Sequence, residues 1–277
     1  MFLPGSKLAT GRFSDILTGA RKKLRLFYEY PQELTSRSGL NAMLAPLTVE
    51  PLGDQGVLLV FAAEGHAQGF TRTLLQRRPD WLTDLVVAYH SVAVFYNLEK
   101  VSYQTVADTL RFWPAESAET RGRLYEIPCC YDLGPDLERV AELCQCSVNE
   151  LVALHSGQIY TVYAIGFVPG FPYLGYLPER LAKVPRLTSP RPRVEPGSVG
   201  IAGRQTGIYP AAVPGGWHLI GRTPLVIADL VSEFFPLQVG DRVRFRRISV
   251  EEFHHLSGQR LDERWSVAGE QSAAIPN

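Results

Sequence analysis

The run from Tyr163 to Val226, YAIGFVPGFPYLGYLPERLAKVPRLTSPRPRVEPGSVGIAGRQTGIYPAAVPGGWHLIGRTPLV, limits the possible folds more than any other part of the chain. Pro169, Pro172, Pro178, Pro185, Pro190, Pro192, Pro196, Pro210, Pro214 and Pro224 each remove a backbone donor and fix φ, so no long helix fits here. The glycines between them supply conformations that other residues avoid. The stretch reads as a tightly turned β scaffold. Such stretches commonly do no more than turn the corners of a β fold. The intervening side chains point further. Phe167, Phe171, Tyr173, Tyr176, Arg204, Gln205, Thr206, Tyr209, Trp217, His218 and Arg222 set aromatic rings and hydrogen-bonding groups on stiff turns. A groove for a small ligand or a protein uses that combination.

Three long motifs, IGFVPGFPYLGYLPERL, VEPGSVGIAGRQTGIYP and PGGWHLIGRTPL, make the chain resemble the allophanate hydrolase subunit 1 family. This is also the carboxyltransferase-domain group, here resembled in its subdomain A/B form. It includes the B-type subunit of bacterial 5-oxoprolinase and the kinase inhibitor KipI. The resemblance covers about residues 48–248. It does not reach residues 1–47 or the tail after 250. The segment VIADL at 226–230 departs slightly from the family's apolar–Phe–Asp pattern but keeps Asp229.

Charge and composition exclude several classes. With 28 basic and 28 acidic residues, no net field recruits nucleic acid or an anionic membrane. No apolar run reaches the length of a membrane span, and the start MFLPGSKLATGRF lacks a signal-peptide apolar core. A cytoplasmic protein is the simplest expectation. Cys129 and Cys130, adjacent on an expected strand, should face opposite sides. Cys144 and Cys146 have C-x-C spacing, which suits free thiols better than zinc, so no metal is expected. There is no P-loop, dinucleotide fingerprint, zinc-protease motif, G-x-S-x-G, biotinyl-lysine signature or amidase Ser-Ser-Lys machinery.

The local patterns predict an α+β chain. LTVEPLGDQGVLLV reads as strand–turn–strand, 66–78 as a short helix, and 85–97 as two strands about a tight turn. SYQTVADTLRFW places Val106, Leu110 and Trp113 at helical spacing behind an N-cap at Ser102. This order suggests a small ferredoxin-like domain over 48–123, ended by the charged link PAESAETRGR. A second domain over 124–250 starts with YEIPCCYD. Two short helices follow, the second opened by the Ser147–Glu150 capping box. Strands then run to a last one after Gly240-Asp241. The resemblance implies that this half is a cyclophilin-like β-barrel. Residues 1–47, with the basic run Arg21–Arg25, read as an extension, and 251–277, with His254-His255, as a tail.

Candidate chemistry follows from residue type. Arg180, Lys183, Arg186, Arg191, Arg193 and Arg204 surround a single carboxylate, Glu195, and guanidinium forks can seat a carboxylate or phosphate. Arg204 and Arg222 stand out because glycine turns flank them. Gln205 can read an amide or lactam, Thr206 and Gly207 offer a hydroxyl and an approachable backbone, and Tyr209 stands on a proline-stiffened exit. His218 is a possible acid/base. His155 lies at a helix end, where the dipole favours a cationic imidazole. Catalytic roles are therefore expected for His218, Arg204 and Gln205. Substrate or phosphate binding is expected for Arg222, Tyr209, Thr206 and Gly207, and partner contact for Phe167, Phe171, Tyr173 and Tyr176.

The resemblance implies a subunit of an ATP-dependent 5-oxoprolinase that opens 5-oxoproline to glutamate. It would work with a carboxyltransferase-B-like subunit and a lactam-hydrolase-type subunit, sharing ATP with a partner and carrying no biotin. Two alternatives from the same family are a KipI-like inhibitor of a histidine kinase and the carboxyltransferase half of a urea carboxylase.

Overall fold

The computed structural model describes residues 45–114 and 122–267; all but the last three residues of the expected extension, most of the charged link and the last ten residues lie outside them. Two β systems carry the described chain. The first holds strands β1 (Thr48–Pro51), β2 (Gly56–Val60), β3 (Leu82–Ala88) and β4 (Ser91–Tyr96) in the order β1-β2-β4-β3, with every neighbouring pair antiparallel. Helix α1 (Glu64–Arg77) buries Ala67, Phe70 and Leu74, and ends where Arg78 turns left-handed and donates its N–H to Leu74 O. Helix α2 (Tyr103–Arg111) starts at Ser102, whose hydroxyl accepts from Thr105 N, as the sequence predicts. It buries Val106, Ala107 and Leu110. The core combines Val57, Leu59, Phe70, Leu74, Val92, Val94, Val106 and Leu110. The sheet opens with the β1–β2 hairpin that LTVEPLGDQGVLLV predicts, which adds a strand to the expected ferredoxin-like order of strand, helix, two strands and helix.

The second system is a curved seven-stranded sheet. Its strands are β5 (Leu124–Cys129), β6 (Ile159–Ile165), β7 (Pro172–Gly175), β9 (Ser198–Ala202), β10 (Gln205–Ile208), β12 (His218–Arg222) and β13 (Arg242–Arg247), ordered β12-β9-β10-β7-β6-β13-β5. Cys130 and Arg222 then exchange backbone hydrogen bonds of 2.8 and 2.9 Å, joining the outermost strands at one end. The sheet is thus a nearly closed barrel. Strand alternation sends Val199, Ile201, Ile208, Ile220 and Phe245 into its core. Helices α3 (Leu137–Leu143) and α4 (Val148–Ser156) pack Val140, Leu151 and Val152 against it, and α4 opens with the predicted Ser147–Glu150 capping box.

A small antiparallel pair, β8 (Arg191–Val194) and β11 (Val213–Gly215), contributes Val194 and Val213 to a second apolar layer with Phe171, Ala202, Tyr209, Trp217 and Leu219. Cys129 joins the barrel core while Cys130 packs with Ile248 and Phe253, so these neighbours face opposite sides. The four cysteines are free thiols. Beyond β13 the chain continues as α5 (Val250–Leu256), and Leu261 returns fully buried to the barrel core. No described helix is long and apolar enough to cross a membrane.

Candidate functional site

Strand β10 divides the expected site. Its residues alternate, so Thr206 and Ile208 point into the barrel while Gln205 and Gly207 point outward. Inside, Thr206 is fully buried and its hydroxyl donates to Gly200 O at 3.0 Å. With its one proton so used, it must accept from His155 Nε2 at 2.9 Å. His155 Nδ1 then accepts from the Tyr131 hydroxyl at 2.7 Å. This chain closes on itself. Burial lowers the His155 pKa to about 3, so its imidazole is neutral. The expectation of a cationic His155 at a helix end is corrected accordingly: the ring turns into the core, beside Phe245 and Tyr160.

Outside, two aromatic groups sit side by side. At the junction of the two β systems, Tyr89, Tyr163 and Tyr176 cluster, with ring centroids 5.2 Å apart for Tyr89–Tyr163 and for Tyr163–Tyr176. Tyr89 comes from the β3–β4 turn, where it holds φ +54° and donates its N–H to Tyr163 O. Gln205 Nε2 donates to the Tyr89 hydroxyl, and the Tyr176 hydroxyl donates to Glu64 at 2.6 Å. Burial, reinforced by Glu64, pushes the Tyr176 phenol well above its usual range. The exposed Arg204 lays its guanidinium over Tyr176 at 4.5 Å, a cation–π contact.

The neighbouring group is Phe171, Tyr173, Tyr209 and Trp217, packed edge to face. Phe171 stands 5.1 Å from Tyr209 and 5.5 Å from Trp217. Tyr173 is two residues from Gly175, which pairs with Gln205, so both groups share the outer face of β7 and β10. Between these rings and Arg186, Leu187 and Pro190 lies a cleft of about 310 Å³.

Arg204, Gln205 and Tyr176 thus come together, as do Phe167, Phe171, Tyr173 and Tyr209. Others do not join them. His218 pairs with Ile201 and so lies on the barrel-core side, 2% exposed, near Asp136 and Pro185. Burial lowers its pKa. Arg222 pairs with Ser198, whereas Arg204 follows Ala202 at the far end of β9, about 13 Å along the strand. Its Nε donates to Pro196 O at 2.9 Å. Gly207 is a packing position: a Cβ there would stand 2.9 Å from the Phe171 ring and Pro172 O. Phe171, expected at a partner surface, is 2% exposed.

Sequence reasoning missed Tyr89, Tyr163 and Glu64, since only the tertiary pairing of the two systems gathers them, whereas Arg186 belongs to the expected cluster of guanidinium groups. It also missed a larger groove of about 480 Å³ lined by Leu75, Leu82, Ile165, Ile227 and Phe235, with Arg78 and Asp84 as its charged residues. Beside it, Asp229 accepts from Val231 N at 3.0 Å and from the Ser232 hydroxyl at 2.5 Å, and Arg260 bonds Ser232 at 2.8 Å. This braced turn presents Val231 at 96% exposure and Leu230 at 69%. Neither hollow fits a nucleotide with these residues. The cleft brings a single cation, Arg186, and the groove brings one, Arg78, itself accompanied by the carboxylate of Asp84, too little charge for a chain of phosphates. Among the described residues no His/Cys/Asp/Glu group is arranged to hold a metal ion.

Comparison with known proteins agrees with the motifs. The B-type subunit of 5-oxoprolinase from Bacillus subtilis (strain 168) is 39% identical over 229 residues, covering 74% of this chain and 95% of that protein. The B-type subunit of 5-oxoprolinase from Escherichia coli O157:H7 is 46% identical over 156 residues, covering 55% and 71%. Among solved structures, that of TTHA0988 aligns with a TM-score of 0.63 at 38% identity over 70% of this chain. This chain spans only 40% of the TTHA0988 chain. Residues 47–234 match the family described as "Carboxyltransferase domain, subdomain C and D". The resemblance to subdomains A and B is therefore corrected to C and D, and the chain belongs to the carboxyltransferase-domain family.

Proposed function

We propose that this chain is a subunit of an ATP-dependent 5-oxoprolinase, which opens the lactam of 5-oxoproline to glutamate. The observation that carries the reading is its likeness, at 39% and 46% identity, to relatives named as the B-type subunit of 5-oxoprolinase, one over 95% of its length. The reading takes the barrel as cyclophilin-like and the smaller sheet as a ferredoxin-like variant with an added hairpin. It also takes the chain as inactive alone. A second carboxyltransferase-like subunit and a lactam-hydrolase-type subunit complete it, and ATP is held with those partners. No step through ATP is assigned to residues of this chain.

Within the chain, the outer face of β7 and β10 is the working surface. Arg204 is exposed and holds anionic groups of the substrate, while Gln205 fixes the junction by its bond to Tyr89. His218 is left as a buried residue at the barrel rim. The partner docks on the braced turn carrying Leu230 and Val231, whose large exposed side chains suit a subunit contact. The TTHA0988 chain, much longer than this module, supports a setting beside further domains.

The test is co-expression of this chain with its genomic neighbours of the carboxyltransferase and lactam-hydrolase types. The purified complex is assayed for 5-oxoproline-dependent ADP and glutamate release. Turnover that disappears when this chain is omitted supports the reading. No complex and no turnover overturns it and leaves the kinase-inhibitor class.

A further inference from the structure

We propose that the cleft between the Phe171, Tyr209 and Trp217 rings and Arg186 is a small-molecule subsite. It takes one small flat ring bearing a carboxylate, with Phe167 as its lid. The rings are held by one another rather than by a ligand. Phe171 meets Tyr209 and Trp217 edge to face at interplanar angles of 78° and 84°. Two glycines let them lie down: a Cβ on Gly207 would reach 2.9 Å from Phe171, and one on Gly215 would reach 2.5 Å from the Tyr209 hydroxyl. The wall is therefore preformed, as small-ligand sites usually are. Its volume of about 310 Å³ lies at the low end of such sites, which suits a small molecule.

Aromatic faces take a flat ring by stacking. Arg186, exposed at the rim, supplies the charge. It lies near enough to Tyr209 to favour the ionised phenol, although burial dominates and raises that group's pKa. Five N–H donors let a guanidinium keep a protein contact and still take a carboxylate.

Phe167 supplies an independent argument. It is 59% exposed and holds φ +71°, a left-handed conformation that costs an aromatic residue on the order of 1 kcal/mol. Exposed Arg78, Gln145 and Glu233 also hold positive φ, so what sets Phe167 apart is where its ring stands. Its ring stands edge-on to Phe171 at 5.6 Å and to Tyr209 at 6.5 Å, over the opening, between Gly166 and Gly170. Strain of this kind collects at ligand clamps.

The choice of a lactam acid as the probe rests on the oxoprolinase reading. The full chain is titrated with L-5-oxoproline and, separately, with 2-pyrrolidinone, the same ring without the carboxylate. The readout is the Trp217 indole N–H resonance, assigned by a Trp217→Phe variant. The expected result is a saturable shift with L-5-oxoproline. Arg186→Gln weakens L-5-oxoproline about tenfold and leaves 2-pyrrolidinone within about twofold. Phe167→Gly relieves the strain, so Tm stays or rises while dissociation of the ligand quickens. A merely structural Phe167 would leave dissociation unchanged.

No Trp217 shift with either compound in the millimolar range overturns the proposal, as does equal weakening of both by Arg186→Gln. Turnover of the complex without a Trp217 shift leaves the oxoprolinase reading and sinks the cleft. A Trp217 shift without turnover does the reverse.

Discussion

The inside and the outside of β10 make opposite use of the same short sequence. Inward, Thr206 closes a chain with His155 and Tyr131 in which each hydroxyl proton and ring nitrogen is matched. Outward, one residue away, Gln205 ties the barrel to Tyr89 of the smaller sheet, and Arg204 stands exposed over Tyr176. A polar group sealed in a core must be satisfied by its neighbours and then has nothing left for a ligand. A polar group at a junction can serve both. The contrast separates polar residues that hold the barrel from those that can meet a substrate.

The largest expected effect is on the inner side. His155→Ala removes a buried ring, takes the acceptor from the Tyr131 hydroxyl and the donor from Thr206, at a cost of about 3 kcal/mol or more. Chemical denaturation checks it, and a loss below about 1 kcal/mol would mean that the chain is not structural.

Acid titration sharpens the same point. His155, lowered to about 3 by burial, stabilises the fold above about pH 6.5, and this stability is lost as pH falls toward 3. Asp241, pushed up to about 6 by burial against the N–H bonds of Gln238 and Arg123, acts oppositely. Its contribution is full below about pH 4 and is lost as pH rises through 6. Each slope is about 1.4 kcal/mol per pH unit, so between pH 4 and 6 they nearly cancel. His155→Gln, which can still accept from Tyr131 and donate to Thr206, unmasks stability that falls with rising pH. Asp241→Asn unmasks the reverse. Unfolding curves from pH 4 to 6 decide it, and unchanged profiles in both variants would break the account.

A smaller effect is expected at the junction. Gln205→Ala costs about 1–2 kcal/mol by removing a hydrogen bond to the buried Tyr89, and loosens the contact of the two β systems. Hydrogen exchange at Tyr89 and Tyr163 N–H reports it. The smallest effect on the fold is at the surface. Val231→Asp changes stability by less than about 0.5 kcal/mol but weakens subunit assembly about tenfold or more. Co-purification from the co-expressed set measures that, and full assembly would move the docking surface elsewhere.

Much of the fold was legible where its cause is local. Ser102 and the Ser147–Glu150 pair announce α2 and α4 because a cap satisfies the first free N–H groups within one turn. Gly240-Asp241 marks the entry to β13. The β1–β2 hairpin was legible in the same way, but the return of Leu261 to the core depends on a pairing with Val226 far away in sequence, which no window contains. The candidate site was half legible. The residue types at 167–176 and 204–209 do gather, yet Q-T-G-I carries the period of two that parts Thr206 from Gln205. Read strictly, it would have withdrawn Thr206. The registers of β9 with β12 removed His218 and Arg222, since cross-strand neighbours are set by pairing and not by motif. Tyr89, from the β3–β4 turn, and Glu64, from the start of α1, belong to the other β system and carry no local signal.

The most direct test compares the two sides of β10 in the reconstituted complex. Thr206→Val and Arg204→Ala are each measured for Tm and for kcat/KM toward 5-oxoproline. The account expects Thr206→Val to lower Tm by several degrees and leave kcat/KM within about twofold. It expects Arg204→Ala to leave Tm and lower kcat/KM about tenfold or more. The reverse pattern, with catalysis lost at Thr206 and kept at Arg204, would contradict it.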